Sequence, residues 1–224
     1  MKTTIKCLMV MVGLTSLLPR ITCAAESAFH VKQRASVDAH KAKLRSLVFS
    51  PDGKFLATGD KVGHVAVWDV TSGKKVGEVE TPVLYTWDPS KRRHSIGGIR
   101  SLAFSHDSRL LAVGGIGTIG NIDHLGAKAR IEMFDWKAGK RLLEFENDKF
   151  KGLVEQIEFH PSNEWFVAAG GDHGGFIAIH ETKTGKVISQ EKAPMHIHGF
   201  VRNESFDTIY AVGHERIAMW ELKA

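Results

Sequence analysis

Short apolar runs separated by tight polar turns recur along most of this chain. Leu44-Arg45-Ser46-Leu47-Val48-Phe49 and Phe55-Leu56-Ala57-Thr58-Gly59 flank Ser50-Pro51-Asp52-Gly53. In such a turn Pro fixes φ at the second position and Gly closes it. The flanking runs are too short for helices and rich in Phe, Leu and Val, which predicts a hairpin of strands. The same layout returns at Ile99 to Gly114 and at Val154 to Gly170, and more weakly at Ile197 to Gly213. A third strand is expected at His64 to Trp68, Arg130 to Phe134, Phe176 to His180 and Ile217 to Trp220. Gly-Lys turns follow at Gly73-Lys74, Gly139-Lys140 and Gly185-Lys186. More polar fourth strands come next, at Lys75 to Glu80, Arg141 to Glu146 and Val187 to Glu191.

The landmarks Phe49, Phe104, Phe159 and Phe200 are 55, 55 and 41 residues apart, a spacing that signals a repeat architecture. Apolar inner strands with a charged outer strand predict small sheets stacked face to face, the charged edge discouraging unwanted pairing.

These residues resemble the tryptophan–aspartate (WD) repeat β-propellers, of the secreted bacterial type. The resemblance is carried by Ser50-Pro51-Asp52-Gly53, Trp68-Asp69, the Thr71-Ser72-Gly73-Lys74 turn, and His40 four residues before Leu44. It covers about Phe29 to Leu222. Trp68-Asp69 is the intact dipeptide; the other repeats carry Phe134-Asp135, His180-Glu181 and Trp220-Glu221, and Ala39 replaces the family glycine before His40. The resemblance implies an all-β fold of about four WD-type four-stranded blades. It also implies a buried Asp–His–Ser/Thr–Trp hydrogen-bond network, in which sequence places His40 and Trp68.

The repeats lie near 40–80, 99–146, 154–191 and 196–222. The fourth stops after its third strand, so Phe29 to Val37 is expected to supply its missing outer strand and tie the chain ends together. Three assemblies follow: a closed four-blade ring, half of an eight-blade dimer, or an incomplete open arc.

Composition adds a compartment. The 224 residues are 43% hydrophobic and 25% charged, ordinary for a globular chain. Residues 1–25 read as a signal peptide: Lys2 and Lys6, an apolar run from Cys7 to Leu18, then small residues suited to cleavage at Ala24 or Ala25. The alternative is an uncleaved membrane anchor. Removing this segment takes away Lys2, Lys6, Arg20 and both cysteines, leaving 27 basic and 25 acidic residues in a 26–224 propeller domain. That balance is no nucleic-acid footprint. No later segment is long and apolar enough for a stable membrane span. The expected location is secreted or periplasmic.

Candidate chemistry concentrates in two long loops that strand parity places on one rim, Thr81 to Gly98 and Gly115 to Ala129. The first carries Tyr85, Trp87, Lys91, Arg92, Arg93 and His94; the second carries Asn121, Asp123 and His124. Aromatic and arginine side chains favour protein interfaces. The second loop matches a dinucleotide fingerprint at Gly115 to Gly120, but that pattern needs a helix behind it, and a strand is expected there instead. His196 and His198 share a strand face, with His214 near them across a hairpin, making them weak metal candidates against a lining role. No catalytic residue and no cofactor is assigned. The leading reading is a non-catalytic scaffold for an unknown protein partner, with a homodimer as one assembly. The alternative is a small-ligand- or metal-binding enzyme using the propeller's central opening.

Overall fold

The computed structural model describes residues 32–33, 35–81, 84, 98–117 and 126–223. The chain divides into two compact units, residues 1–37 and residues 38–224. Among the described residues the second unit consists of fifteen strands and no helix.

The first sheet is β1 (Leu44–Phe49), β2 (Phe55–Asp60), β3 (His64–Asp69) and β4 (Lys75–Glu80). The second is β5 (Ser101–Phe104), β6 (Leu110–Ile116), β7 (Lys128–Asp135) and β8 (Lys140–Lys151). The third is β9 (Leu153–Phe159), β10 (Trp165–Gly171), β11 (Gly175–Glu181) and β12 (Val187–Ala193). The fourth holds β13 (Ile197–Arg202), β14 (Thr208–Gly213) and β15 (Arg216–Glu221). Strand order in every sheet follows chain order, and each pairing is antiparallel. The expected meanders are therefore present, including β4 at its predicted bounds.

The fourth sheet is three-stranded, and the described residues 32–33 and 35–37 carry no strand. Residues 29–31 and 34 of the expected outer strand lie outside the described residues.

Successive sheets pack through their first strands, β1 with β5, β5 with β9 and β9 with β13. Three apolar clusters fill the spaces between them. The first joins Ala57, Val65 and Val67 to Leu102, Phe104, Phe134 and Trp136. The second joins Ala112, Ile131 and Met133 to Ile157, Phe159 and Phe166. The third joins Val167, Ala169 and Ile177 to Ile197, Phe200 and Ile209. Leu84, between β4 and β5, is buried in the first cluster, a contribution the loop's sequence did not announce.

Pairing registers correct one landmark. Phe49, Phe104 and Phe159 face Leu56, Leu111 and Phe166 across their hairpins, whereas the residue in that position of the fourth sheet is Arg202, opposite Ile209. Phe200 pairs with Ala211, as Leu47 pairs with Thr58 and Leu102 with Val113. An aromatic landmark cannot distinguish positions two apart on one strand face, because both point the same way.

Candidate interaction surface

The His40 network forms in full. His40 Nδ1 lies 3.0 Å from Asp60 Oδ2 and its Nε2 lies 2.8 Å from Thr58 Oγ1. Trp68 donates its indole N–H to Thr58 Oγ1 at 2.9 Å. The other Asp60 oxygen accepts the backbone N–H groups of Val62 and His64, closing the β2–β3 turn. This ties the segment before β1 to the second and third strands. His64 Nδ1 sits 3.2 Å from His40 Nδ1, so His40, Asp60 and His64 together offer three metal-binding atoms. Each Asp60 oxygen already accepts hydrogen bonds and His40 uses both ring nitrogens, which is what a structural lock requires. Sequence placed His40 and Trp68; Thr58 and Asp60 complete the set.

The departures from Trp-Asp have local explanations. Phe134 is buried in the first cluster. His180 stacks on Phe166 with ring centroids 5.1 Å apart and shares a hydrogen bond with the Gly185 carbonyl at 3.0 Å. Burial pulls its pKa down, so the neutral ring donates Nδ1–H to that carbonyl.

His196, His198 and His214 do meet. Ring centroids are 4.8 Å apart for His196 and His198, 4.9 Å for His198 and His214, and 5.7 Å for His196 and His214. His196 however directs Nδ1 to the Asp172 carbonyl and Nε2 to Glu155. Arg100 also forks onto Glu155 across the second and third sheets. Burial raises the Glu155 pKa, but the hydrogen bonds from His196 and Arg100 outweigh it and hold the carboxyl below its usual range. His198 is lowered by desolvation and then by its neighbours His196 and His214. Both nitrogens of His196 are thus engaged by residues of the third sheet and its β10–β11 turn. A separate cavity of about 820 Å³ opens between the second and third sheets, lined by Arg109, Leu142, Glu181, Lys183 and Ile188.

The rim residues Tyr85, Trp87, Lys91, Arg92, Arg93, His94, Asn121, Asp123 and His124 lie outside the described residues. Gly115 and Ile116 of the fingerprint form the buried end of β6, so they do not open a helix. No helix among the described residues is long and apolar enough to cross a membrane.

Sequence reasoning missed the two end faces. Leu47 and Phe49 are 69% and 56% exposed, while their register equivalents Leu102 and Phe104 are 6% and 5% exposed. On the fourth sheet Val201, Tyr210, Val212, Ile217 and Met219 are all exposed, Ile217 by 76%. They occupy the positions that Val48, Ala57, Gly59, Val65 and Val67 hold in the first sheet, where Ala57, Val65 and Val67 are completely buried. The signal was available: apolar residues fill both faces of every repeat, including the two faces with no neighbour in sequence. Large exposed apolar surface is a general mark of interaction sites.

Comparison with known proteins agrees with the repeat reading. Residues 23–88 match the family model described as the anaphase-promoting complex subunit 4 WD40 domain, and residues 87–118 match the WD domain, G-beta repeat. Similar proteins are fungal. Protein hir1 of Emericella nidulans is 28% identical over 160 residues, which is 67% of this chain and 14% of that protein. Ribosome biogenesis protein erb1 of Aspergillus niger is 38% identical over 82 residues, 34% of this chain and 10% of that protein. Autophagy-related protein 21 of Vanderwaltozyma polyspora is 34% identical over 104 residues, 46% of this chain and 21% of that protein. The chain therefore spans about a fifth or less of these relatives. The secreted bacterial type finds no support among them. The WD40 repeat resemblance itself is supported, by both family models and by the fungal relatives.

Proposed function

We propose that this chain is a non-catalytic protein-interaction scaffold whose contacts are made by the apolar faces at the two ends of its row of sheets. The observation that carries this is the exposure of Leu47, Phe49, Val201, Ile217 and Met219 at positions the other sheets use for packing. Exposed apolar surface of that extent is stabilised by a protein partner. Relatives named for ribosome biogenesis and autophagy are in keeping with work inside assemblies. Presentation of the 81–98 and 115–129 loops to the same partner belongs to this proposal, as does export through residues 1–25.

The test is site-specific photo-crosslinking of the full chain in its host. Photoreactive residues at positions 47 and 217 should give discrete protein adducts. The same group at Lys54 and Lys183, exposed polar positions, should give few. Equal labelling at all four positions would overturn the reading. Sequencing the N-terminus of the protein recovered from that host tests export: a start at Glu26 or Ala25 supports it, and an intact Met1 removes it.

A further inference from the structure

The junctions between successive sheets share one recurring arrangement. At each internal junction, the residue two before the hairpin turn of one sheet and the residue just before the turn of the next share an apolar cluster or a hydrogen bond. At the first junction these are Val48 and Phe104, both packed into the first cluster. At the second they are Ala103 and Phe159, both in the second cluster. At the third they are Glu158 and Arg202, and there Arg202 Nε donates to Glu158 Oε1 at 2.9 Å. A small apolar residue is answered by phenylalanine, and a carboxylate by arginine. The fourth sheet presents Val201 at this position, and the residue left without a neighbouring sheet is Phe49.

We propose that the end face of the fourth sheet, centred on Val201, docks on the end face of the first sheet, centred on Phe49, of a second copy of this chain, twice, closing a ring of eight sheets. The proposal rests on the reading of these faces as interaction surfaces and names their occupant. Among the described residues both faces are exposed, so neither of them covers the other. Pairing like with like fits poorly. Two fourth sheets would set Val201 against Val201 and leave a gap where every other junction is filled. Two first sheets would set Phe49 against Phe49 and crowd it. Such a head-to-tail contact makes a ring only if its rotation closes; otherwise it makes an open filament. Eight sheets lies within the range that β-propellers adopt.

The test is the mass of the full chain by light scattering over a range of concentrations. Twice the chain mass, constant with concentration, is expected. Val201→Glu and Phe49→Arg should each weaken the dimer by about tenfold or more, as for a central contact. Both positions are exposed in the single chain, so both variants should fold, which circular dichroism checks. The double variant Val201→Glu/Phe49→Arg should recover the dimer, because it copies Glu158 and Arg202. A monomeric wild type overturns the proposal, as does a mass that climbs past two copies or a double variant that stays monomeric. A monomer that still forms adducts with other proteins through position 217 would sink this inference and leave the scaffold reading intact.

Discussion

Gly53 and Ser108 stand at the same position of their hairpin turns, both in the left-handed region, with φ of 69° and 58°. Asn163 and Phe206 take it too, at 62° and 60°. The turn's N–H at this residue bonds back to the carbonyl of Ser50, Ser105, His160 or Asn203, so the conformation is imposed by the hairpin. Glycine meets it without a Cβ penalty. Phe206 meets it while burying its ring against Trp165 and under Arg202.

Ser108 has no such compensation. Its hydroxyl is buried without a hydrogen-bond partner, while its carbonyl accepts the Trp136 indole N–H at 2.9 Å. Ser108→Gly removes both the left-handed strain and the unsatisfied hydroxyl and keeps the backbone contact. It should raise stability by about 1 kcal/mol, after the entropy glycine adds to the unfolded chain. Chemical denaturation of the two proteins measures this; a lower midpoint for the variant would refute it.

How much of this was legible in the sequence follows from the range of each signal. Strands and turns were readable because Ser50-Pro51-Asp52-Gly53 and its apolar flanks act locally. Thr58 and Asp60 were not placed beside His40 because their meeting depends on the β1–β2 register, which local sequence does not report. The histidine cluster was foreseen as a grouping, but the engagement of His196 by Glu155 and Asp172 comes from the neighbouring sheet and a distant turn. The end faces escaped because alternation reports that a residue is apolar, and only packing reports whether anything covers it.

Removing the hub of the His40 network should be costly. Asp60→Ala deprives His40 and the backbone N–H groups of Val62 and His64 of their acceptor at once. A loss of about 2–3 kcal/mol is expected, from buried hydrogen bonds to a charged group. Trp68→Phe, which removes one donor and keeps an aromatic ring, should cost about 1 kcal/mol. Equal losses in thermal or denaturant melts would show that the carboxylate is not the hub.

The second sheet holds a buried ion group. Glu132 is fully buried and accepts from Arg130 Nε at 3.4 Å and Arg141 Nη1 at 3.1 Å, while Arg130 also reaches Glu144 and Glu146. Arg130→Met leaves Glu132 without its buried neighbour and should destabilise by about 3–5 kcal/mol. Arg130→Met with Glu132→Leu replaces the pair by apolar groups and should recover most of that loss. If the double variant is no more stable than the single one, the pair's role is not charge compensation.

The His180 ring gives a pH dependence whose sign is fixed by its surroundings. Burial against Phe166 and Phe145 lowers its pKa in the folded chain, and the bond to the Gly185 carbonyl opposes that only in part. Once unfolded, the imidazole titrates near its ordinary value of about 6.5. Below that pH the unfolded chain binds a proton that the folded chain resists, so stability is lost as pH falls. Above about pH 7 both states are neutral and His180 contributes no pH dependence. His180→Phe keeps a stacking ring but cannot take up a proton. It should flatten the fall in stability between about pH 6.5 and 5, while losing the hydrogen bond to Gly185 at every pH. Denaturation midpoints of both proteins across that range decide it: parallel curves would mean that His180 is not the group whose proton uptake unfolds the third sheet.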